Sequence, residues 1–227
     1  GARLYGKPLQ TLVPGGITVI ESLITYLKKI TLINKITLAI SEGEENYGFK
    51  RLAEKFKLPY FIGDENDVLD RMIKTAHREN VSHIFRITTE GPFVIYEYAD
   101  NIIKEFLKGD YDWASYKDYP EGTGFELVKT TALEKSYLLG SARNRSELVT
   151  SFICENQEKF KLLLMDLPDY MQRPEVRLTV DNAEDLVLCQ QVYKKLKKER
   201  TLIKVKDIIK FWDNNPEVRK QVENIGL

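Results

Sequence analysis

The sequence is poor in the residues that most often carry metal or thiol chemistry, with two cysteines and two histidines among its 227 residues. Cys154 and Cys189 both lie in sequence of helical period, so we expect two small packed side chains in a reducing, cytoplasmic environment. His77 and His83 have no carboxylate partner near them in sequence, so neither is a convincing general base. Because no spacing of these residues matches a zinc site, we expect no structural zinc.

Net charge, long apolar runs and common catalytic signatures are also missing. Lysine plus arginine and aspartate plus glutamate number 34 each, whereas nucleic-acid binders usually carry a basic excess, so we expect no nucleic-acid partner. No apolar run reaches membrane-spanning length and no signal-peptide pattern occurs, so we expect no membrane partner. We interpret the basic run at 194–200 as a solvated helix end. Neither the nucleophile-elbow serine nor the Walker lysine pattern is present.

What the sequence does contain is a regular alternation of helical and strand periods. At 43% hydrophobic and 30% charged residues, the composition is ordinary for one globular domain with a substantial core. Apolar residues recur at helical spacing at 19–30, 49–56, 68–76 and 98–107, and Asp67 is placed to cap the third of these helices. Short buried-strand runs lie between them at 36–40, 59–62 and 83–88. This order predicts an α/β, Rossmann-like fold with a mostly parallel sheet sandwiched by helices.

The middle of the chain has a different pattern. Strand-like and helix-like segments succeed one another at 111–116, 124–128, 130–139, 145–155 and 160–165. This predicts an inserted region of mixed α and β structure at about 111–165. A further strand at 176–180 and a long amphipathic helix at 182–198 complete a domain spanning 1–200. A small helical tail is expected at 201–227.

The first residues combine two cations with a glycine and a proline on a short turn, Arg3-Leu4-Tyr5-Gly6-Lys7-Pro8. Such a turn can hold a triphosphate, because Arg3 offers fork-shaped donors and Lys7 a movable point charge. A nucleotide-binding α/β domain also needs a strand ahead of its first phosphate loop. We therefore expect an N-terminal segment to precede Gly1 in the intact protein.

Two acidic residues stand where predicted strands give way to loops. Glu90 follows the strand that ends near Thr88, and Asp181 follows Val180. Ligands bind at the carboxyl ends of parallel strands, and two carboxylates there can hold Mg2+ against phosphate oxygens. Two alternatives stay open at this point. Glu90 could be an ordinary loop acid, and Asp181 or Asn182 could cap the following helix.

Several segments resemble the SpsF-like cytidylyltransferases and the related enzymes that activate acidic sugars. The segment 86–93, RITTEGPF, is similar to the family's R-I-T-G-D-x-P-L, with Glu90 at the position of its metal-binding Asp and Thr89 at that of its Gly. The segment 178–186, LTVDNAEDL, resembles T-V-D-T-P-E-D-L. The resemblance extends over nearly the whole chain and implies a nucleotide-diphospho-sugar transferase fold.

Three further segments carry the resemblance into the middle of the chain. Residues 63–71 are similar to G-x-x-x-D-V-L-x-R, in which Arg71 either contacts ligand or forms a helix pair with Asp67, four residues earlier. Residues 119–126 are similar to Y-P-x-G-x-D-x-E, with Gly124 in place of Asp and Glu126 matching. Residues 145–150 resemble R-E-H-V-T, with Leu148 in place of His. These departures fall on polar positions of the family's site.

The resemblance implies an activity and a role for each candidate residue. In the implied reaction, a hydroxyl of an acidic nonulosonic or ulosonic sugar attacks the α-phosphate of CTP and releases pyrophosphate. The product would serve surface polysaccharide or glycan biosynthesis. The resemblance implies that Arg3 and Lys7 are the catalytic cations and contact the triphosphate, and that Ser41 and Arg86 also contact the nucleotide. It implies that Arg71 and Glu126 contact the substrate. It implies that Glu90 and Asp181 are the Mg2+ ligands. The implied cofactor is Mg2+.

The resemblance also implies a homodimer, and it leaves two alternative functions open. Members of the wider group are often homodimers that pair through the inserted region, where Tyr137, Leu138 and Phe152 provide apolar surface. One rival function is a non-catalytic nucleotide-sugar-binding subunit, which the departures at Glu90 and Leu148 permit. Another is a nucleotidyltransferase that acts on a sugar phosphate or another phosphorylated acceptor.

Overall fold

The computed structural model describes residue 4 and residues 6–198 and 201–217 of the chain. In this part of the chain the helices are α1 Val19–Leu27, α2 Tyr47–Phe56, α3 Val68–Glu79, α4 Ala99–Lys108, α5 Thr130–Leu139, α6 Ser151–Glu155, α7 Ala183–Leu196 and α8 Val205–Asn214. The strands are β1 Leu38–Ser41, β2 Tyr60–Gly63, β3 His83–Arg86, β4 Trp113–Tyr116, β5 Glu126–Lys129 and β6 Leu162–Met165.

Strand pairing divides these strands into two sheets. β1 pairs in parallel with β2, with Leu38 opposite Tyr60 and Ser41 opposite Gly63. The second sheet has the order β3-β5-β4-β6, in which β4 and β6 are parallel and β5 is antiparallel to both of its neighbours. The predicted α/β class, with parallel strands and covering helices, is therefore confirmed, and β5 accounts for the antiparallel pairings.

The segment 111–165 contributes most of the second sheet. Its three strands, β4, β5 and β6, form one sheet with β3. In this sheet β5 lies directly beside β3, with Arg86 opposite Glu126. The mixed α and β structure expected for this segment is observed, with β4 parallel to β6 and antiparallel to β5. Its helix predicted at 145–155 begins only at Ser151, because a 3-10 turn at Ala142–Arg145 and a short loop precede it.

The strand predicted at 176–180 is wrong, although the segment is extended. Its backbone makes one isolated bridge, between Arg177 and Glu121. Leu178 N donates to the Glu121 carbonyl at 2.7 Å, and Val180 N donates to the Glu90 carbonyl at 2.9 Å. The N–H groups therefore bond to two loops instead of a strand ladder. The alternating residues Val176, Leu178 and Val180 are fully buried in the core.

The burial expected for the strand runs at 36–40 and 83–88 is also only partly observed. In β1 Ile40 is buried but Ala39 is exposed, and no residue of β3 is buried. The reason is a cleft of about 600 Å3 that both strands line. The cleft lies between β1 of the first sheet and β3 of the second sheet. Residues of these two strands therefore face the cleft and are less buried than they would be within one continuous sheet.

Helix α1 shows how local sequence fixes one wall of this cleft. Thr18 caps the helix by accepting from Glu21 N at 3.3 Å, and the Glu21 side chain accepts from Thr18 N at 2.9 Å. Such a reciprocal box satisfies two end donors. The helix buries both of its faces, against the main core through Val19, Leu23 and Leu27 and against α2 through Ile20 and Ile24.

The second half of the chain closes the core. Helices α7 and α8 pack against one another and bury Leu188, Val192, Ile208 and Trp212 in the main cluster. Cys189 is fully buried on α7, and burial raises the pKa of its thiol far above its usual range. Both cysteines are free.

No helix in the described segments is long and apolar enough to cross a membrane. The tail predicted beyond residue 217 and the end of the basic run, at 199–200, lie outside the described residues.

Candidate functional site

The candidate site lies where β1 and β3 end. Ser41 is the last residue of β1 and Arg86 the last residue of β3, and both line the mouth of the cleft. Arg71, from the first turn of α3, and Glu90, from the loop after β3, line the same cleft. Four of the residues singled out in the sequence, from four separate segments, are thus brought to one opening.

Lys7, Glu90 and Asp181 meet beside this opening. Lys7 Nζ donates to Glu90 Oε1 at 3.3 Å and to Asp181 Oδ1 at 3.0 Å, across 83 and 174 residues of sequence. Gly6, with φ 57°, and Pro8 set the short 3-10 turn that carries Lys7. The fold therefore places two acceptor-only carboxylates around one cationic head group.

The electrostatics of this triad favour its charged forms. Burial opposes the charge on Lys7, but the hydrogen bond to Asp181 and the charges of both acids outweigh it, so the pKa of Lys7 lies above its ordinary 10.5. Burial likewise opposes ionisation of Asp181, but Lys7 and Arg177 outweigh it, so the pKa of Asp181 lies below its ordinary 3.8. The ion pair is therefore intact throughout the neutral range.

Arg177 is a component of the site that the sequence reasoning missed. Its Nη2 donates to Asp181 Oδ2 at 2.5 Å, its Nε donates to Asp185 Oδ1 at 3.0 Å, and its Nη1 bonds to Glu121. Asp185, which contributes most, and Glu121 together outweigh burial and raise the pKa of the guanidinium. The alternation of buried and exposed residues at 176–181 could have revealed Arg177 from the sequence. Positions 177 and 181 share one face of this extended segment, and its other face is buried.

Asn182, not Asp181, caps α7. Its side chain accepts from Asp185 N at 2.9 Å, and the Asp185 carboxylate accepts from the backbone N–H of Asp181 at 2.9 Å and of Asn182 at 3.2 Å. Asp185 is only 3% exposed, so the start of the helix is rigidly tied to Arg177. The Asp181 side chain is left free of capping and faces Lys7.

Two glycines let the loops that carry Glu90 and Asp181 approach one another closely. A Cβ on Gly91 would lie 1.9 Å from the Gly122 carbonyl oxygen, and a Cβ on Gly122 would lie 2.5 Å from Thr179 N. Gly122 also has φ 84°, a conformation that favours glycine. Because backbone packs directly on backbone here, the spacing of the two acids depends on these two glycines.

Arg86 and Glu126 pair with one another across β3 and β5. Arg86 Nη1 bonds to one Glu126 oxygen, and the other oxygen accepts from Trp113 Nε1 at 3.0 Å and from Thr150 Oγ1 at 2.6 Å. Arg86 Nη2 also donates to the Glu147 carbonyl at 2.8 Å. Both oxygens of Glu126 therefore accept hydrogen bonds. Arg86 lines the cleft while its guanidinium is held by Glu126 and by the Glu147 carbonyl.

Arg71 does not pair with Asp67. Its guanidinium donates to the carbonyls of Asp64 and Glu65, and burial lowers the pKa of Arg71. Asp67 instead caps α3, accepting from Asp70 N at 2.9 Å, and lies 3.4 Å from Arg145. The helix-pair alternative for Arg71 is therefore wrong, and its cationic group borders the cleft.

The remaining candidates are placed as follows. Ser41 Oγ accepts from Asn46 Nδ2 at 3.0 Å at the cleft mouth. His77 has a partner that its sequence neighbourhood did not reveal, since its Nε2 lies 2.5 Å from Glu134 Oε1 in an exposed pair. Arg3 lies outside the described residues. Within the described residues, no group of three or more His, Cys, Asp or Glu side chains could hold a metal ion by itself.

The sequence matches the family model described as cytidylyltransferase over residues 2–212. It is 32% identical over 225 residues to an uncharacterised protein of Methanocaldococcus jannaschii, covering 98% of this chain and 90% of that relative. It is 26% identical over 226 residues to the spore coat polysaccharide biosynthesis protein SpsF of Bacillus subtilis, covering 97% of this chain and 93% of SpsF. The recognised resemblance to SpsF-like cytidylyltransferases is confirmed.

Solved structures show the same fold. A cytidylyltransferase from Leptospira borgpetersenii serovar Hardjo-bovis has a TM-score of 0.85 at 21% identity, covering 96% of this chain and 91% of that chain. The CMP:2-keto-3-deoxy-manno-octonic acid synthetase complexed with CTP has a TM-score of 0.63 at 12% identity, covering 86% and 94% of the two chains. Because the family model spans nearly all of the sequence, the chain belongs to the cytidylyltransferase family and is a CTP-dependent nucleotidyltransferase.

Proposed function

We propose that this enzyme transfers the cytidylyl group of CTP to a hydroxyl of an acidic ulosonic or nonulosonic sugar and releases pyrophosphate, in the synthesis of a surface polysaccharide or glycan. The observation that carries the proposal is the meeting of Lys7, Glu90 and Asp181 beside the cleft mouth, which Glu90 lines. The name of the SpsF relative supports the polysaccharide role, and the synthetase of similar fold acts on a sugar acid.

The proposed nucleotide contacts surround this mouth. Lys7, together with Arg3, binds the triphosphate, because movable and fork-shaped cations together match its many oxygens. Ser41 and Arg86 line the cleft nearby and are assigned to the nucleotide. Arg86 is held by Glu126 and by the Glu147 carbonyl, so it offers a pre-positioned charge with little rotamer entropy to lose on binding.

The chemical step needs no covalent enzyme intermediate. The sugar hydroxyl oxygen forms a bond to the α-phosphorus of CTP, the bond from that phosphorus to the bridging oxygen breaks, and pyrophosphate leaves with the electron pair. The hydroxyl proton passes to solvent. The protein contributes by holding the reactants in line and by placing cations against the charge that develops on the leaving oxygens.

Glu90 and Asp181 are the proposed ligands of Mg2+. Both are acceptor-only carboxylates that already share one cation, the Lys7 ammonium, and Mg2+ is commonly held by one or two carboxylates together with substrate phosphates. The residues present therefore fit the ion. When bound, Mg2+ neutralises phosphate charge and orients the triphosphate. Glu90 and Asp181 would hold the ion, and the Lys7 ammonium would be available to the phosphate oxygens.

Arg71 and Glu126 are the proposed contacts on the sugar side. Arg71 Nε is buried without a hydrogen-bond partner in the described structure, and its cationic group borders the cleft, so it suits a sugar carboxylate. Glu126 is engaged by Arg86, Trp113 and Thr150. Its proposed role is therefore exercised through these neighbours as well as by direct contact.

We also propose a homodimer in the cytoplasm. Of the apolar residues noted in the middle of the chain, Tyr137 and Phe152 pack within the protein, whereas Leu138 is 80% exposed and its neighbour Leu139 is 54% exposed. These two leucines provide the apolar surface for pairing. Two free cysteines suit a reducing compartment.

The test is pyrophosphate release from the four nucleoside triphosphates with Mg2+, against a panel of sugar acids and sugar phosphates. Release with CTP and one sugar acid supports the proposal and names the acceptor. Release only with a sugar phosphate would replace the acceptor class. Nucleotide binding without release across the panel would favour the binding-subunit alternative. The variant Lys7→Met serves as the control for contaminating activity.

A further inference from the structure

A groove lies between the end of α7 and helix α8, and it is separate from the cleft of the candidate site. Its volume is about 600 Å3, and small-molecule sites span roughly 300–1,000 Å3. Lys195 and Leu196, at the end of α7, line this groove, whereas Asp181 stands just before the start of that helix. Since α7 has 14 residues, about 20 Å of helix separates the groove from Asp181. The groove is therefore a second concave surface, distinct from the proposed reaction site.

The rim of the groove is positively charged. Four exposed lysines line it, namely Lys195, Lys198, Lys204 and Lys210. None of their ammonium groups makes a hydrogen bond or an ion pair with another described residue. Asp207 is the one acid among the lining residues that the structure describes, and Glu97 lies close enough to Lys204 for their charges to interact. Two acids do not balance these lysines, so the rim offers cations to an anionic ligand.

Helix dipoles account for only part of this cluster of lysines. Cations in the last turn of a helix are favourable, which explains Lys195 at the end of α7. The start of a helix disfavours cations, yet Lys204 is the N-cap of α8 and its side chain makes no capping hydrogen bond. The interpretation of 194–200 as a solvated helix end therefore covers the lysines of α7 alone. A bound anion would explain Lys204, and the first N–H groups of α8 add donors for it.

The floor of the groove is apolar. It is formed by Leu196, Leu202 and Phe211, which are half-buried and pack on the main core. The Asn215 side chain beside this floor already donates to the Phe211 carbonyl at 2.6 Å. A nucleoside base or a sugar on such a floor would leave polar edges without hydrogen-bond partners, which is unfavourable. An aliphatic or aromatic body leaves no such edges, so the floor favours a ligand whose body is apolar.

The shape of this surface favours a single small molecule over a lipid bilayer. Peripheral membrane binding places apolar side chains into the headgroup region. Among the described residues, none of the large apolar side chains exposed to solvent lies at 188–217. The apolar side chains of the floor are recessed below the lysines instead, so a bilayer surface would not reach them.

We propose that this groove binds a soluble phosphate monoester with an apolar body, whose phosphate contacts Lys204 and Lys210 and whose body lies on the floor. A phosphate monoester carries a charge of about −1.5 to −2 at neutral pH, which matches a rim with several lysines. Lysine suits such a ligand as a movable point charge. The proposed site needs neither CTP nor the acceptor sugar, so it stands apart from the proposed reaction.

The first measurement is isothermal titration calorimetry with octyl phosphate, below the concentration at which it forms micelles. We expect it to bind at least about tenfold more tightly than inorganic phosphate, because burying about two methylene groups gives that gain. Octyl glucoside, which has the same alkyl chain without the charge, should bind more weakly than octyl phosphate by a similar factor. Equal affinities for octyl phosphate and either control probe would overturn the proposal.

The second measurement repeats the titration with a pair of matched double variants. Lys204→Gln with Lys210→Gln should weaken octyl phosphate binding by about tenfold, since two charged contacts are lost. Lys194→Gln with Lys206→Gln removes the same charge from exposed lysines of the same two helices that do not line the groove. It should change the affinity by less than about twofold. Equal weakening in both double variants would mean that only the overall charge matters and would overturn the proposal.

The third measurement locates the bound probe, because the cleft of the candidate site also combines cations with apolar lining. In amide NMR spectra, octyl phosphate should shift the signals of Leu202 and Phe211 and leave those of Arg86 and Glu90 in place. Shifts confined to Arg86 and Glu90 would place the probe in the cleft and overturn the proposal. Cosedimentation with phosphatidylglycerol vesicles, without binding of octyl phosphate, would assign the lysines to a membrane surface and would also overturn it.

Discussion

Arg177 holds one oxygen of Asp181 at 2.5 Å, while Lys7 holds the other at 3.0 Å. The two cations differ in what else anchors them. Arg177 is fixed by Asp185 and Glu121, whereas the ammonium of Lys7 contacts only Glu90 besides Asp181 among the pairs described. Asp181 is therefore oriented by the anchored Arg177, whereas Lys7 contributes charge without a further anchor among the pairs described.

The first prediction concerns Asp181→Asn. We expect this variant to lose Mg2+-dependent turnover by roughly 100-fold or more, because an amide cannot supply the negative charge that a metal and Lys7 require. The fold should remain, since the amide oxygen can still accept from Arg177. Pyrophosphate release measures the loss, and circular dichroism checks the fold.

A matched control for this change is Glu184→Gln, which removes an exposed carboxylate at the start of the same helix. It should retain wild-type turnover. Wild-type turnover in Asp181→Asn itself would rule out the proposed metal ligand.

The second prediction concerns the length of Glu90. Glu90→Asp should keep or improve turnover if Glu90 is a metal ligand, because a carboxylate remains and loop adjustment can recover the lost methylene. Glu90→Gln should lose it. Half-saturating Mg2+ concentrations for both variants provide the measurement. A complete loss in Glu90→Asp would show that the site is built around the longer side chain.

Much of the fold could be predicted because its signals are local. The helix predicted at 130–139 is α5, and Asp67 caps α3 as its position before an apolar period indicates. The segment 176–180 was misread because alternation reports burial of one face, whereas a strand also requires a partner ladder. The pairing of β5 beside β3 depends on contacts distant in sequence, which periodicity does not contain.

The site could be predicted where it depends on strand ends and not where it depends on loop packing. The proximity of Glu90 and Asp181 follows from both residues standing after extended segments. The contribution of Gly122 does not, because its close contact with Thr179 arises between loops far apart in sequence. The Arg86–Glu126 pair likewise requires the β3–β5 register. The chemical roles of these residues stay predictions.

The third prediction concerns Arg177→Met. Its loss leaves Asp185, a buried carboxylate, without its cation, and breaking a buried ion pair typically costs about 3 kcal/mol in the free energy of unfolding. We also expect a higher half-saturating Mg2+ concentration, because Asp181 loses its orienting partner. Arg177→Lys should recover part of the stability, since it restores charge but not the fork. Thermal unfolding and metal titration separate the two effects, and an unchanged metal requirement in both variants would contradict the orienting role.

The fourth prediction compares alanine at two glycines with positive φ. Gly15, with φ 64°, has nothing within 4 Å of an added Cβ, whereas Gly122, with φ 84°, has Thr179 N at 2.5 Å. Gly15→Ala should cost roughly 1 kcal/mol from backbone strain alone. Gly122→Ala should cost roughly 3 kcal/mol, because overpacking adds to the strain, and should also reduce turnover by separating the loops of Glu90 and Asp181. Similar stability losses in the two variants would show that the loops can move apart freely.

The last prediction concerns the pH dependence of the Lys7–Asp181 pair. The pKa of Asp181 is lowered in the folded protein, so its contribution to stability is present above the unfolded value of about 3.9 and is lost as pH falls through the folded value. The pKa of Lys7 is raised, so its contribution is present below about 10.4 and is lost only above that range. The stability difference between wild type and Lys7→Met, about 2 kcal/mol for a hydrogen bond between charged groups, should therefore be constant from about pH 5 to 9. It should shrink below about pH 4 as Asp181 takes up a proton. Paired thermal unfolding across this range measures the difference, and a difference that persists unchanged at pH 3 would mean that Lys7 stabilises the fold by packing and not by its charge.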